Sequence, residues 1–482
     1  MNDKIKSTQV AVIGGGPGGY PAAFLAADLG LHVTLIDPEP NPGGVCLYRG
    51  CIPSKALLHA AKVLTEARHA SDWGIKFGAP RIDLDKLRGW KDNVVQKMTG
   101  GLGQLTKNRK ISYVQGIASF KDKSTIKINS NNSKELLSFE NSIIATGSRP
   151  ATIPNIPLQS ARILDSTSAL DIQDIPKTML VIGGGYIGLE LGIVYAALGT
   201  RVSVVEMTSG LMPGVDRDLV IVLQKRLEKI FQSILLNTTV IDMTEEESGI
   251  RVKFEDVRNK ISEEVFEKVL VSVGRKPNSE GIGLENTNVK IDSKGFITID
   301  EQRRTSEESM FAIGDVAGEP MLAHKATHEG RVVAEVIAGR NVAFEPRAIP
   351  AVVFTDPEIA WCGLTETQAS LANRPVKVSR FPWGASGRAT TLDRNDGVTK
   401  LIIDPDSEGI LGVGIVGSGA GELIAEGVLA VEMGAKATDL ELCIHPHPTL
   451  SETLMESAEA FLGLSTHIYR PRKFPKSLGS KE

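Results

Sequence analysis

Cys46 and Cys51 are the residues of this 482-residue chain best suited to carry out chemistry. They enclose the segment LYRG and lie between the glycine pair at 43–44 and the run IPSK at 52–55. Four intervening residues do not match the two of a zinc knuckle, and no second cysteine pair completes a tetrahedral site, so no metal is expected. Cys362 and Cys443 are isolated in largely apolar surroundings and read as packing residues. A disulfide needs Cα atoms about 4.4–6.8 Å apart. Residues five apart on a regular α-helix are farther, at roughly 8–9 Å. The segment must therefore leave regular helix, and Gly50 helps it to do so. A thiol at a helix N-terminus also has a lowered pKa, which favours the reactive thiolate. The chemistry that results is thiol–disulfide redox.

Such a pair needs an electron partner, and the chain repeats a unit suited to hold one. Residues 9–13 (QVAVI) read as a buried parallel strand that runs into GGGPGG at 14–19 and a small-residue helix over 22–29. A second strand over 32–36 ends at Asp37. The plan returns as a strand at 178–182, GGGYIG at 183–188, a helix over 189–198, and a strand at 201–205 ending at Glu206. Both turns satisfy G-x-G-x-x-G, at Gly14, Gly16 and Gly19 and at Gly183, Gly185 and Gly188. The first glycine permits the tight turn, the second lets backbone approach a pyrophosphate, and the third lets helix pack on strand. The pyrophosphate sits at the helix N-terminus, where free N–H groups and the dipole favour negative charge. Asp37 and Glu206 are placed to accept from a ribose 2′-hydroxyl. Recurrence of the whole unit indicates two copies of a dinucleotide module, hence FAD plus a nicotinamide. A carboxylate at 206 repels a 2′-phosphate, and Met207 and Thr208 supply no arginine, so NAD is expected over NADP.

Composition limits the remaining classes. Hydrophobic content of 41% and charged content of 23% are ordinary for a globular protein with a large core. A net charge of -4 gives no reason to expect a nucleic-acid partner. Only 4 cysteines are too few for a disulfide-stapled secreted protein. Residues 1–9 are polar and lack the apolar core of a secretory signal and the Arg-rich pattern of a transit peptide. No apolar run reaches the length of a membrane span. A cytoplasmic, reducing location with no membrane partner is the expectation. At about 150 residues per domain the length corresponds to about three or four domains. Polar, Pro-containing stretches at 149–157 and 276–283 read as domain crossings. After about residue 346 the pattern changes, with strands at 352–354, 398–403 and 411–416 of a mostly antiparallel sheet and helices between. The tail from 469 to 482 is polar and reads as loose.

The stretch GGVCLYRGCIPSKAL at 43–57 resembles the active-site segment of the two-cysteine pyridine nucleotide–disulfide oxidoreductases. The likeness continues in the family's order through ATGSRP at 145–150, GRKPN at 274–278, FAIGD at 311–315, MLAHKA at 321–326 and HPHPTLSE at 445–452. It therefore covers almost the whole chain. It implies an α/β fold of two Rossmann-like dinucleotide-binding domains, for FAD and NAD, plus an α+β C-terminal dimerisation domain. The implied boundaries are 1–150 for FAD, 151–275 for NAD, 276–346 for a central domain completing the FAD site, and 347–482 for the dimerisation domain. By the same resemblance Cys51 is the flavin-facing thiolate and Cys46 the thiol that exchanges with substrate. His447 and Glu452 match the family's base and its orienting carboxylate, supplied there by the partner subunit of a homodimer. The chemistry agrees, because exchange needs a thiolate and a histidine can take the substrate's proton. Asp315 matches the residue that holds the FAD ribityl chain, and Lys55 with Glu190 the pair near the flavin N5. Thr146, Gly147, Gly274 and Ala323 fall in the family's cofactor-binding stretches. His445 reads as structural. Pro446 stands where many relatives have a small residue; it stiffens the loop but keeps the spacing from His447 to Glu452.

Within the family the likeness is greatest to members that oxidise dihydrolipoamide. It implies partners bearing lipoyl groups, from 2-oxoacid dehydrogenase complexes or the glycine cleavage system, and hydride delivered to NAD⁺. The alternatives are another FAD-dependent disulfide reductase or a non-catalytic flavoprotein subunit. Glu206 argues against the NADP-linked glutathione reductases. No cysteine follows Cys443, which argues against mercuric reductases and large thioredoxin reductases with their extra C-terminal pair. Cys51 argues against soluble transhydrogenases, and the intact Cys46, Cys51 and His447 against a purely structural subunit.

Overall fold

The computed structural model describes residues 5–130, 133–153 and 160–469. The tail beyond Tyr469 and residues 154–157 of the first expected crossing lie outside them. The chain divides into two compact units, Met1–Met207 with Leu235–Glu345, and Thr208–Ile234 with Pro346–Glu482.

The first unit holds both glycine-turn modules. In the first module, strands Ser112–Gln115, Val33–Asp37, Lys6–Ile13, Lys134–Ile144 and Met310–Ala312 lie side by side and parallel. Val10, Ala11 and Val12 are fully buried, as expected of a parallel strand covered on both faces. Helix Gly19–Asp28 lies on this sheet with its alanines buried. The second module pairs Arg201–Val205, Thr178–Ile182, Lys268–Val271 and Ile163–Leu164 in parallel. Helix Tyr186–Leu198 is buried along nearly its whole length, so it shows no amphipathic stripe. An antiparallel sheet of Thr238–Glu246, Gly249–Asp256 and Ile261–Phe266 adds to this module. Two Rossmann-like modules are therefore present, as the glycine spacing predicts.

The second unit is built on an antiparallel sheet in the order Ala351–Val353, Glu358–Gly363, Ile410–Gly417, Val398–Ile403, Lys377–Pro382. Trp383 is fully buried and donates its indole N–H to Thr399 Oγ1 at 2.9 Å. A Cβ on Gly397 or Gly417 would lie 2.2 or 2.3 Å from its ring, so these glycines make its room. Helix Arg217–Ile230 belongs here and not with the second module that precedes it in sequence.

Lys400 explains much of that placement. It is 1% exposed and its ammonium lies within 2.7–2.8 Å of Asp216, Asp218 and Glu366. Asp216 also accepts from the N–H groups of Glu366 and Thr367. Burial works against the charged lysine, but the three carboxylates outweigh it and raise its pKa. Removing one partner of such a buried pair leaves uncompensated charge and costs about 3–5 kcal/mol. Lys400→Met is expected to lose that much unfolding free energy in a denaturant titration. A loss below about 1 kcal/mol would show the network to be no more than a surface pair. Among the described residues, no helix is long and apolar enough to cross a membrane.

Candidate active site

Helix Gly44–Arg49 ends at Gly50, and helix Cys51–His69 begins on the next residue. A Cβ on Gly50 would lie 2.8 Å from the Val45 carbonyl oxygen and 3.2 Å from Cys46 Cα. Glycine therefore lets the chain fold back onto Cys46, and the expected departure from regular helix occurs at this position. Both cysteines are thiols in the structure, and Cys46 donates to Cys51 Sγ. Accepting that bond lowers the Cys51 thiol to about 7 against burial, and the Lys55 ammonium adds to the effect. Donating it pushes the Cys46 thiol up, and burial pushes the same way. The reduced pair therefore holds its proton on Cys46 in preference to Cys51.

Lys55 lies one helical turn beyond Cys51, and its Nζ is 2.7 Å from Glu190 Oε2. Glu190 is buried on helix Tyr186–Leu198 of the second module. Its carboxylate raises the Cys51 pKa while Lys55 lowers it, so the pair sets the local charge from both modules.

The two glycine turns are built alike. Gly14 and Gly183 sit at φ +102° and +104°, in the left-handed region that favours glycine. A Cβ on Gly19 or Gly188 would lie 1.8 or 2.7 Å from the carbonyl oxygen of Gly14 or Gly183. Asp37 Oδ2 accepts from the Gly15 N–H at 2.5 Å, and Glu206 Oε2 from the Gly184 N–H at 2.7 Å. Each acid thus fastens its own turn, which the sequence reading did not include. The middle glycines face space instead. A Cβ on Gly16 would meet nothing nearer than Gly44 Cα at 3.9 Å, and one on Gly185 nothing within 4 Å.

A cavity of about 450 Å³ connects the first turn to the cysteines. Gly14, Gly16 and Asp37 line one part, Cys46, Cys51, Lys55 and Glu190 another. Thr146, Gly147, Asp315 and Ala323 complete the wall. A long groove of this kind, with open backbone at Gly16 and a carboxylate at Asp37, fits FAD. Gly183, Gly185, Gly188 and Glu206 form the second turn; none of the four lines this cavity, although Tyr186 and Ile187 between them do, and the open backbone at Gly185 with the Glu206 carboxylate fits NAD in the same way. Gly19 and Gly274 do not line the cavity; Arg275 does.

Arg275 was missed by the sequence reading, as was Ser148. Arg275 Nε donates to Ser148 Oγ at 2.7 Å, and Ser148 Oγ donates to Asp315. Asp315 is thereby aimed by side chains from two other motifs. Both lie inside stretches quoted for the resemblance, ATGSRP and GRKPN, so the motifs carried the signal.

Burial pushes the Asp37 carboxyl up to about 6, with the Gly15 N–H and Arg49 opposing it. A carboxyl whose pKa rises on folding favours the folded state when protonated. Its contribution is therefore lost as pH rises from 3.8 towards about 6. The loss is roughly 3 kcal/mol at about 1.4 kcal/mol per unit. Denaturant titrations of flavin-free protein across that window should show this slope, and Asp37→Asn should lack it. Equal slopes in the two proteins would refute the assignment.

His447 and Glu452 lie in the second unit. His447 Nδ1 is 2.9 Å from Glu452 Oε1, and Glu452 Oε2 accepts from the Thr449 N–H at 2.8 Å. Burial pushes the Glu452 carboxyl up, but the Thr449 N–H and His447 outweigh it and hold it below its ordinary value. The imidazole is 74% exposed with one nitrogen oriented, which leaves Nε2 for proton exchange. His445 engages both nitrogens, with Cys443 O at 2.9 Å and Glu426 Oε1 at 2.8 Å, as a structural histidine would. The Pro446 carbonyl accepts from Thr449 Oγ1 at 2.8 Å, so the proline sits within the loop's own bonding.

The chain is similar to known proteins over nearly its whole length. The family model for pyridine nucleotide-disulphide oxidoreductases matches residues 8–330, and that for the dimerisation domain of the same family matches 349–458. A dihydrolipoyl dehydrogenase from Vibrio cholerae is 46% identical over 97% of this chain and 98% of its own length. One from Haemophilus influenzae is 47% identical over the same shares. Among solved structures, LpdA from Mycobacterium tuberculosis superposes with a TM-score of 0.87 at 25% identity, covering 94% of this chain and 99% of that one. The chain belongs to the pyridine nucleotide–disulphide oxidoreductase family.

Proposed function

We infer that this chain catalyses the dihydrolipoyl dehydrogenase reaction, oxidising dihydrolipoamide to lipoamide and reducing NAD⁺. The observation that carries this is the Cys46–Cys51 turn, with one acidic and one proton-holding thiol, on the wall of a cavity shaped for FAD. Relatives bearing that name match 97% of the chain.

A thiol of dihydrolipoamide attacks Cys46 Sγ of the Cys46–Cys51 disulfide, and its proton passes to His447 Nε2. The protein disulfide breaks as a mixed disulfide forms, and Cys51 leaves as the thiolate that its surroundings favour. The second substrate thiol attacks the lipoyl sulfur of the mixed disulfide. This closes lipoamide and releases Cys46, which keeps a proton. Two electrons and two protons have left the dithiol. The electrons lie in the reduced cysteine pair, and the protons on Cys46 and His447. Bound FAD, held at the first glycine turn, supplies the two-electron relay from this pair to NAD⁺ at the second. Lys55 keeps a positive charge beside the cysteines, and Glu190 holds Lys55 in place. Glu452 keeps His447 in one orientation.

His447 and Glu452 act from the partner subunit, so the working form is a homodimer, placed in the cytoplasm with lipoyl-bearing proteins as its partners. The matched dimerisation domain supports that reading. Purified protein is assayed with dihydrolipoamide and NAD⁺ or NADP⁺. Reduction of NAD⁺ in preference to NADP⁺ is expected. Turnover of glutathione disulfide without turnover of lipoamide would overturn the assignment.

A further inference from the structure

Ile172 is buried and β-branched, yet its backbone sits at φ +40°, ψ +60°. Such a conformation is unfavourable for a β-branched residue and persists only where neighbours over-determine it. The neighbours here are cations. Arg88 Nη1 donates to the carbonyls of Ile172 and Gln173, both at 3.2 Å, while Asp85 holds its other nitrogen. Lys91, on the same helix Leu84–Asn108, is 6% exposed and donates to the Leu170 carbonyl at 3.0 Å. An ammonium is costly to bury unless it is paired, and Asp92 lies 3.1 Å away to offset that cost. A third cation, Arg68, stands near the end of the redox helix Cys51–His69. It donates to the Ala197 carbonyl at 2.8 Å, at the C-terminal end of helix Tyr186–Leu198, where a positive charge is favoured.

The acceptors all belong to the second dinucleotide module, and the donors all to helices of the first. Tyr195 adds a bond from its hydroxyl to the Ala169 carbonyl at 2.8 Å, which ties the gripped turn to the nucleotide helix. Ser166 and Leu170 of that turn also line the FAD cavity. Strand Thr178–Ile182 and the Gly183 turn follow directly. Lys55–Glu190 and Arg68–Ala197 pin the redox helix to the nucleotide helix at two separate levels.

We propose that Lys91, Arg88 and Arg68 are positioning residues for hydride acceptance: by gripping the Leu170, Ile172, Gln173 and Ala197 carbonyls, they hold the second dinucleotide module in register with the redox helix. The proposal rests on the functional reading above. Hydride transfer depends steeply on placement, and a misplacement of about 1 Å costs up to about 10²-fold. Dithiol exchange at Cys46 draws on none of these contacts.

The test uses the FAD-loaded enzyme and separates the two half-reactions by anaerobic stopped flow. In Lys91→Met and in the surface double variant R68A/R88A, reduction by dihydrolipoamide is expected to keep its rate within about twofold. Reoxidation by NAD⁺ slows by about tenfold or more. Amide hydrogen exchange over residues 165–173 accelerates in both variants, and Lys91→Arg restores rate and protection. Equal slowing of both half-reactions, or a lower melting temperature with unchanged reoxidation and exchange, overturns the proposal. If wild-type enzyme takes no electrons from dihydrolipoamide, the functional reading fails instead. Flavin reduction by NADH and the exchange measurement then still decide the clamp.

Discussion

Cys51→Ser is expected to lower dihydrolipoamide-dependent reduction of NAD⁺ on the order of 10⁴-fold or more while leaving FAD bound. The size follows from what the residue does. A serine hydroxyl can neither form the protein disulfide nor leave as a stable anion near neutral pH. Cys46→Ser should be equally inactive with substrate, and for a different reason. It removes the sulfur proposed to receive the attack of dihydrolipoamide but keeps Cys51, its helix N-terminus and Lys55. A serine hydroxyl at 46 can still donate to Cys51 Sγ, the largest influence that lowers the Cys51 pKa. Cys46→Ser should therefore show a long-wavelength thiolate-to-flavin absorption band without any reductant, fading as pH falls below about 7. Cys51→Ser should lack the band at every pH. The reverse assignment of bands would exchange the two roles, and retained turnover in Cys51→Ser would remove the mechanism.

The features legible in the sequence are those whose causes are local. Strands Thr178–Ile182, Arg201–Val205 and Val398–Ile403 coincide with their expected limits, because apolar runs end at turns within a few residues. The helices begin earlier than expected, at Gly19 and Tyr186. Gly19 and Gly188 pack against the carbonyls of their own turns and already belong to the helix, so a helix counted from beyond the glycine motif starts too late. The break at Gly50 was legible from distance alone. Features that depend on distant partners were not. Asp315 is aimed by Ser148 and Arg275, and Lys400 joins Asp216 and Glu366 in a cluster that gathers Thr208–Ile234 into the second unit. The strained Ile172 and the cations that hold it carry no periodic or motif signal. The raised pKa of Asp37 comes from burial, which its position after a strand did not reveal.

His447→Gln should lower turnover by about 10²–10⁴-fold, the range expected when a general base is removed. Thiol exchange would survive at high pH, where dihydrolipoamide ionises without help, so the deficit should shrink as pH rises. The informative experiment combines this variant with Cys51→Ser. Near neutral pH each has at most about a hundredth of wild-type activity alone. If base and thiolate of one site come from different subunits, a heterodimer of the two variants holds one site with both defects and one with neither. Random mixing in equal amounts makes roughly half the dimers mixed, each with one intact site of two, so roughly a quarter of wild-type activity should return. If His447 served the cysteines of its own chain, every site in the mixed dimer would carry one defect and no activity would return. The Glu452 carboxylate fixes one nitrogen of the imidazole while the ring stays exposed. An oriented and open base of this kind is suited to reaching a thiol presented on another subunit, and the returned quarter would demonstrate that it does.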